Sequence, residues 1–533
     1  MKHIKNNNRL LIAQVEPPQN EGSGDYFYRT HAPGIAMAQE EGVRVINLTN
    51  QHRHKTEIMM KADVLILKNI CDPDILPLIR GRKEQRKLTV YEIADDLNAL
   101  QTWNPVYFFF KNKQNLDLGF RLANSCNALQ VSSPELKKLY GYLNRNCTVF
   151  PNQILNVPPE KPLKKNNEQV IGWGGSHGHM ADMAEIAQPL INWIITRPNV
   201  SLHLMCSEPI WKLFDSLPQH KKRWTPPGLL DDYYNFLQNI DIGIAPLKDY
   251  AFNRSRSDIK FLEYAVSGIV PVMAHTGPYI ESVNVGKTGF LYKNTGELIV
   301  TLNRLTDDRI SAQNVAKEAR QYVIRERLQL QHGRDRLDFY RQHLKFPHRQ
   351  SNEVERSIKW FEGISKLEGA IVNERHLQLK ATRFEDLLHD GLLAMQIQRN
   401  MQLANAIFEE AVTMEPENYL TFMFAASISP NPIDCLCKAL KQEPHSIRTW
   451  ILLGEEFERI GKIKQALECY ESAINVYSDY DIPHLKIGAL LRKLGRHAQA
   501  NQFFKKANMI AENLKYLNVT TPETDLNVNV KNS

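Results

Sequence analysis

The stretch Ser255 to Val272, SRSDIKFLEYAVSGIVPV, places the tightest local constraint on this chain. It reads as a helix running into a buried strand. Ser255 and Asp258 stand at capping-box spacing, Ile259, Leu262 and Val266 form an apolar stripe, and Gly268 sits where a helix stops. Ile269 to Met273 then has the unbroken apolar character of a parallel strand. Lys260 and Glu263 are the polar residues in mid-helix, one turn apart on one flank, so both can address one ligand. A carboxylate accepts two vicinal hydroxyls, and a cation beside a helix N-terminus suits a phosphate. A solvent-facing Lys/Glu pair is the plain alternative.

The same alternation runs along much of the chain. Strands are expected at Leu10 to Val15, Val43 to Leu48, Val64 to Leu67, Leu88 to Ile93 and Ala128 to Val131, with helices near 35–41, 74–80 and after Ser133-Pro134-Glu135. A second series opens at Val170 and continues through Leu202 to Cys206 and Ile240 to Ile244. Such β/α alternation predicts two doubly wound, Rossmann-like parallel sheets, in which ligands bind at the carboxyl ends of strands. At those ends stand Gly22, Ser23, Gly24, Arg29 and His31 after the first strand, and Asp95 and Asp96 after the fourth. The glycine backbone there could approach a phosphate, with Arg29 and His31 just beyond; a flexible loop is the alternative. Asp95 and Asp96 could hold an acceptor hydroxyl, act as base, or cap the following turn. Trp103 to Lys113, WNPVYFFFKNK, sets aromatics beside lysines. Core packing or a lid is expected there, with a membrane surface or an acceptor cleft as alternatives.

In the second series, IGWGGSHGHMADM places Gly174, Gly175 and Ser176 between a strand and a helix, where backbone amides and the helix dipole favour an anion. The dinucleotide fingerprint fails, because His177 stands where its third glycine belongs. Arg254, Arg256, Ser257 and Lys260 follow within one loop and turn. Their cations could meet an anionic ligand; for Arg256 a solvated basic loop is the alternative. Gly286-Lys287-Thr288 is not a nucleotide-hydrolase loop, since Glu281 occupies the position of its leading glycine.

Several of these motifs together resemble the nucleotide-binding half of the group 1, retaining glycosyltransferases of GT-B fold. Glu263 and the small-residue helix lead to Gly268-Ile269-Val270-Pro271-Val272 in the family's manner, Gly286 to Leu291 matches its Gly-x-x-Gly turn, and IDIGIAPL before the helix matches its Asp-x-Gly-hydrophobic-x-Pro-Leu turn. The resemblance implies a sugar transferred from a nucleotide-sugar, which is substrate and not cofactor. It implies that Glu263 holds the donor ribose, that Gly174, Gly175, Ser176 and Ser257 line the donor site, and that Lys260 and Arg254 stabilise the leaving diphosphate, with no metal. Glu263→Ala is then expected to weaken nucleotide binding from an exposed cleft while leaving the fold intact. The family often has a second glutamate eight residues before the first, and here that residue is Ser255. Arg29, His31, Asp95 and Asp96 become acceptor-side candidates.

At 533 residues the chain has room for about three or four domains. Expected are an acceptor-side domain at 1–152, a nucleotide-sugar-binding domain at 153–344, a helical linker at 345–379, helical repeats at 380–515 and a polar tail at 516–533. Trp450, Leu453, Gly454, Gly461, Ala466, Tyr470 and Ala473 recur thirty-four positions later as His484, Ile487, Gly488, Gly495, Ala500, Phe504 and Ala507, the tetratricopeptide period. About four helical hairpins are expected, offering a face for a protein partner or self-association. The polar start and seven scattered cysteines suggest a cytoplasmic protein with reduced thiols. A net charge of +7 is mild, compatible with anionic ligands or a membrane surface and demanding no nucleic acid. A scaffold built on an inactive transferase fold is the other functional reading; an epimerase or phosphorylase is a third.

Overall fold

The computed structural model describes residues 10–18, 24–104, 106–161, 167–344, 372–373, 375–379, 383–396, 398–416 and 418–512. They fall into two compact units, one of the described residues within 10–70, 82–116 and 126–379, the other of those within 71–81, 117–125 and 383–512.

The first unit contains two sheets. Strands β1 (Leu10–Glu16), β2 (Val43–Thr49), β3 (Val64–Lys68), β4 (Leu88–Ile93), β5 (Ala128–Val131) and β6 (Cys147–Val149) form a parallel array in the order β2-β1-β3-β4-β5-β6. Strands β7 (Gln169–Gly174), β8 (Val200–Met205), β9 (Lys222–Thr225), β10 (Ile242–Ala245), β11 (Val270–Ala274) and β12 (Phe290–Tyr292) form the second, in the order β12-β11-β10-β7-β8-β9. Every residue of β1, β3, β4 and β5 is buried, as parallel strands covered on both faces must be. Leu337 and Tyr340, on the helix Gly333–His343, belong to the core of the first sheet, and the Tyr340 hydroxyl donates to Gln130 Oε1 at 2.8 Å.

The linker expectation needs correcting where the structure describes it. Strands β13 (Val372–Asn373) and β14 (His376–Gln378) form an antiparallel hairpin, and β14 pairs in parallel with the edge of β2, His376 opposite Val45. Three residues captured by an open edge leave little hydrophobic period to read; Leu377 alone is sunk, at 1% exposure. Residues 345–371 and the expected polar tail lie outside the described residues.

In the second unit eight helices between Arg383 and Glu512 pair as four hairpins, the last two being Ile447–Arg459 with Ile463–Val476 and Asp481–Lys493 with His497–Glu512. The glycines of the period have a steric reason. A Cβ on Gly454 would lie 2.5 Å from the Tyr470 ring, and one on Gly488 would lie 2.8 Å from the Phe504 ring. The first hairpin repeats the device, with Gly391 against Phe408. A bare backbone in one helix thus receives the aromatic of its partner.

Candidate functional site

The helix of Lys260 and Glu263 spans Ile259–Val266, and Gly268, at φ +66°, reverses the chain into β11. Its start differs from expectation. The short helix Ala251–Arg254 absorbs Ser255, which is fully buried and donates from Oγ to the Phe252 carbonyl at 2.8 Å instead of capping. Asp258 is the N-cap residue without a capping bond; its carboxylate takes Arg327 and Ser282, each at 2.7 Å.

Glu263 is 4% exposed. Tyr28 donates to its Oε1 at 2.9 Å, Tyr233 to its Oε2 at 2.9 Å, and Lys260 reaches the same oxygen at 3.0 Å. Lys260 also lies 2.8 Å from the Tyr233 hydroxyl and 4.3 Å from the centre of that ring. The two polar residues therefore face inward together. Burial, and next the Glu263 charge, hold the Tyr28 and Tyr233 phenols well above their ordinary range, so both are neutral donors. A carboxylate accepts about four hydrogen bonds, and three are in use. The expectation of an exposed cleft carboxylate is corrected here: two vicinal hydroxyls can reach Glu263 only when the Tyr28 hydroxyl gives way.

The glycine turn lies one ring from this triangle. Gly174 closes β7, and a Cβ there would come within 2.7 Å of the Tyr233 ring. The Gly175 amide is committed to the Met205 carbonyl at 3.0 Å, so it is not offered to an anion as expected; Ser176 is exposed. His179, passed over in the sequence, is buried and bonds through Nδ1 to Asp182 Oδ2 at 2.8 Å. Asp182 Oδ1 in turn accepts from the Lys248 amide at 2.9 Å and Asn253 Nδ2 at 3.1 Å. This network ties the glycine turn to the loop that leads into the Glu263 helix.

Burial, then the Arg256 charge, push the His179 pKa down to about 4, and burial does the same for His203 and His376. A histidine held neutral in the fold, against about 6.5 when unfolded, contributes its full stability above pH 6.5 and loses it as pH falls towards 4. Burial raises the carboxyl pKa of Glu16, Asp95 and Asp96, which opposes this loss in the acid part of the window. In urea titrations between pH 7 and pH 5, replacing His179 by Gln should therefore flatten the fall in stability by up to about 1.4 kcal/mol per pH unit. Equal slopes would contradict the assigned shift.

Arg254 is half-exposed and committed to Asp249, with Nε 2.5 Å and Nη2 3.0 Å from its carboxylate oxygens. It lines a cavity of about 630 Å³ with Lys138, Arg256, Ser257, His275 and Arg327; neither Lys260 nor Glu263 reaches that space. Ser257 Oγ accepts from Asn152 at 2.9 Å. Arg256 stacks over the Phe252 ring at 5.4 Å, and its charge is the main influence opposing burial on the half-buried Asp95 carboxyl. Arg256 lines the same cavity as Ser132 and Ser133, which directly follow β5.

The acceptor-side expectations separate. Arg29 is 2% exposed; Nε meets Glu92 Oε1 at 2.6 Å, while Nη1 meets the Phe150 carbonyl at 2.6 Å and Asn152 Oδ1 at 2.9 Å. It is a buried tie, with Nη2 left without a hydrogen-bond partner. Asp96 is likewise sunk, accepting from Tyr140 and from the Asn98 amide at 3.1 Å, as a turn-capping carboxylate does. His31 is partly buried beside His376, ring centres 5.4 Å apart. Of the two aspartates, Asp95 is the one whose carboxyl the charges of Arg256, Lys68 and Arg29 oppose to burial. Gly22 and Ser23 lie outside the described residues. Also unforeseen is Lys68, at the end of β3, whose Nζ stands 2.9 Å from Glu16 and 2.6 Å from Asp25. Lys68, Tyr28 and Tyr233 carry no motif; only the fold brings them to the strand ends.

Among the described residues no group of three or more His, Cys, Asp or Glu is placed to hold a metal, and no helix is long and apolar enough to cross a membrane. A tetratricopeptide-repeat family profile matches residues 447–480. Among characterised proteins no sequence matches. Similar solved structures include HepE of Anabaena in complex with UDP (14% identity, 62% of this chain and 99% of that one, TM-score 0.47). Others are a glycosyltransferase from Rickettsia africae (15%, 64% and 100%, 0.47) and sucrose-phosphate synthase from Thermosynechococcus elongatus (12%, 63% and 99%, 0.47). With TM-scores below 0.5 these likenesses carry no argument about the site, and the two parallel sheets and helical hairpins stand on their own registers and contacts.

Proposed function

We propose that the first unit is a glycosyltransferase that moves a sugar from a nucleoside-diphosphate sugar to an acceptor hydroxyl. The observation that carries this reading is the Lys260–Tyr233–Glu263 triangle set against the Gly174 turn, at the carboxyl ends of β7 and β10, on the helix and strand whose motifs resemble that family. Residues 153–344 hold the donor and 1–152 receive the acceptor. Glu263 accepts the ribose hydroxyls once Tyr28 yields Oε1. Negative charge grows on the diphosphate as the glycosidic bond breaks, and Lys260 with Arg256 supplies fixed positive charge there; Arg254 joins them when it leaves Asp249. No metal is required in this reading. Ser257 and Ser176 line the donor side, and Asp95 with His31 remains on the acceptor side. Retention of anomeric configuration follows the family resemblance. Seven scattered cysteines with no disulfide pattern support a reducing, cytoplasmic setting, and the repeats serve a protein partner or self-association.

A second reading is a scaffold with an idle transferase fold. The burial of Ser255, where the family often has a carboxylate, and the three internal partners already on Glu263 favour it. Release of nucleoside diphosphate from UDP-, GDP- and ADP-sugars separates the two. Turnover with one of them should fall about a hundredfold in Arg256→Ala, with the melting temperature unchanged within a few degrees. Absence of turnover with every donor, in the presence of a glycan and lipid acceptor mixture, would favour the scaffold.

A further inference from the structure

Among the described residues of the aromatic segment read above as core or lid, Phe110 is buried and Trp103 and Tyr107 are partly buried. Val106, Phe108 and Phe109 are exposed, at 46%, 70% and 41%, on the short helix Tyr107–Lys111 and the residue before it. Among the described residues no other run of four holds three exposed large apolar side chains; elsewhere they are scattered singly or in pairs. Water-facing Phe108 and Phe109 carry a standing hydrophobic cost that a monomer in water has no reason to bear.

The tip is held in shape. Asn104 Oδ1 accepts from the Val106 amide at 3.1 Å, Asn115 Nδ2 donates to the Phe109 carbonyl at 2.9 Å, and Lys111 lies 5.6 Å from the Tyr107 ring centre. Lys111 and Lys113 are exposed beside it, and the sequence contains no acidic residue from Leu97 to Leu116. Trp103, at the root of the segment, donates from its indole nitrogen to the Gly178 carbonyl at 3.0 Å, in the turn that follows Gly174.

We propose that Val106, Phe108 and Phe109 form a wedge that inserts into the interface of an anionic lipid bilayer, with Lys111 and Lys113 on the headgroups. A patch of three side chains is far smaller than the roughly 800 Å² per partner that a stable protein interface buries. It is large enough for interfacial anchoring, where aromatic rings sit at headgroup level and lysines meet anionic lipid. The absence of acidic residues along the segment supplies the charge complementarity. Through Trp103 the wedge is tied to the turn beside the candidate donor site, which sets the cleft next to the lipid surface.

The test is flotation of the full chain with vesicles of phosphatidylcholine alone or with about a third phosphatidylglycerol. The wild type should float with the anionic vesicles and not with the neutral ones. Replacing Phe108 and Phe109 together by Glu should lower the partition roughly a hundredfold, at unchanged melting temperature, since neither ring packs inside. Lys111→Gln should lower it about fivefold, and Ile310→Glu, at a site 75% exposed and far along the sequence, should have no effect. Failure of the wild type to float, or equal flotation of the double variant, would overturn the proposal. So would a self-association abolished by the double variant in sedimentation velocity without vesicle binding, which would make the wedge an interface between copies. Nucleotide release measured without vesicles is untouched by any of these results, so a failure here is distinct from a failure of the transferase reading.

Discussion

Replacing Arg29 by Met is expected to destabilise the first unit by about 3–5 kcal/mol, the cost of leaving the other half of a buried ion pair alone. Glu92 is 1% exposed; its second oxygen accepts from Gln130, which cannot neutralise it. The methionine fills the volume but returns neither the charge nor the hydrogen bonds to the Phe150 carbonyl and Asn152. A fall in melting temperature on the order of 10 °C is the expected reading in a unit of this size. Adding Glu92→Leu should recover most of it, because a buried apolar pair replaces an orphaned charge. A single variant as stable as the wild type would show that Arg29 is available for a ligand, as its place after β1 first suggests.

The second large effect is expected at Glu263. From the sequence it is a cleft carboxylate whose loss affects binding alone; in the structure it is the acceptor for a buried phenol, a partly buried phenol and a lysine. Glu263→Ala leaves three donors facing a void, and the expected cost is about 3–5 kcal/mol in chemical unfolding. Glu263→Gln keeps the shape and one acceptor oxygen while removing the charge that offsets Lys260, and should lose roughly half as much. Nucleotide binding should fall in both. A stable Ala variant with normal affinity would remove Glu263 from both the core and the site.

Much of the architecture is legible in the sequence because parallel strands covered on both faces are short, unbroken apolar runs. Leu88 to Ile93 and Ala128 to Val131 are found where they are read, and the Ser133 cap accepts the Leu136 amide at 3.3 Å. The repeats are legible because each glycine must admit an aromatic at a fixed period. The hairpin β13–β14 is not, since an edge pairing draws on backbone groups that every residue carries. The site is legible only along one segment: Lys260 and Glu263 are neighbours on a helix, so spacing reveals them. Tyr28 stands 235 residues from Glu263, and Lys68 meets Glu16 across 52, so their meeting depends on sheet order and not on any local pattern. The burial of Arg29 and Asp96 was equally hidden, because a charged residue after a strand looks the same whether it turns to solvent or to a partner.

The central claim is that the first unit holds a nucleoside diphosphate at the Glu263 helix. Its most direct measurement is calorimetric titration of the full chain with UDP, GDP and ADP, repeated with Lys260→Ala. The account predicts saturable binding of one of them, weakened at least tenfold in the variant through the loss of one charge-assisted contact. No heat with any nucleotide, or the same affinity without Lys260, would contradict it.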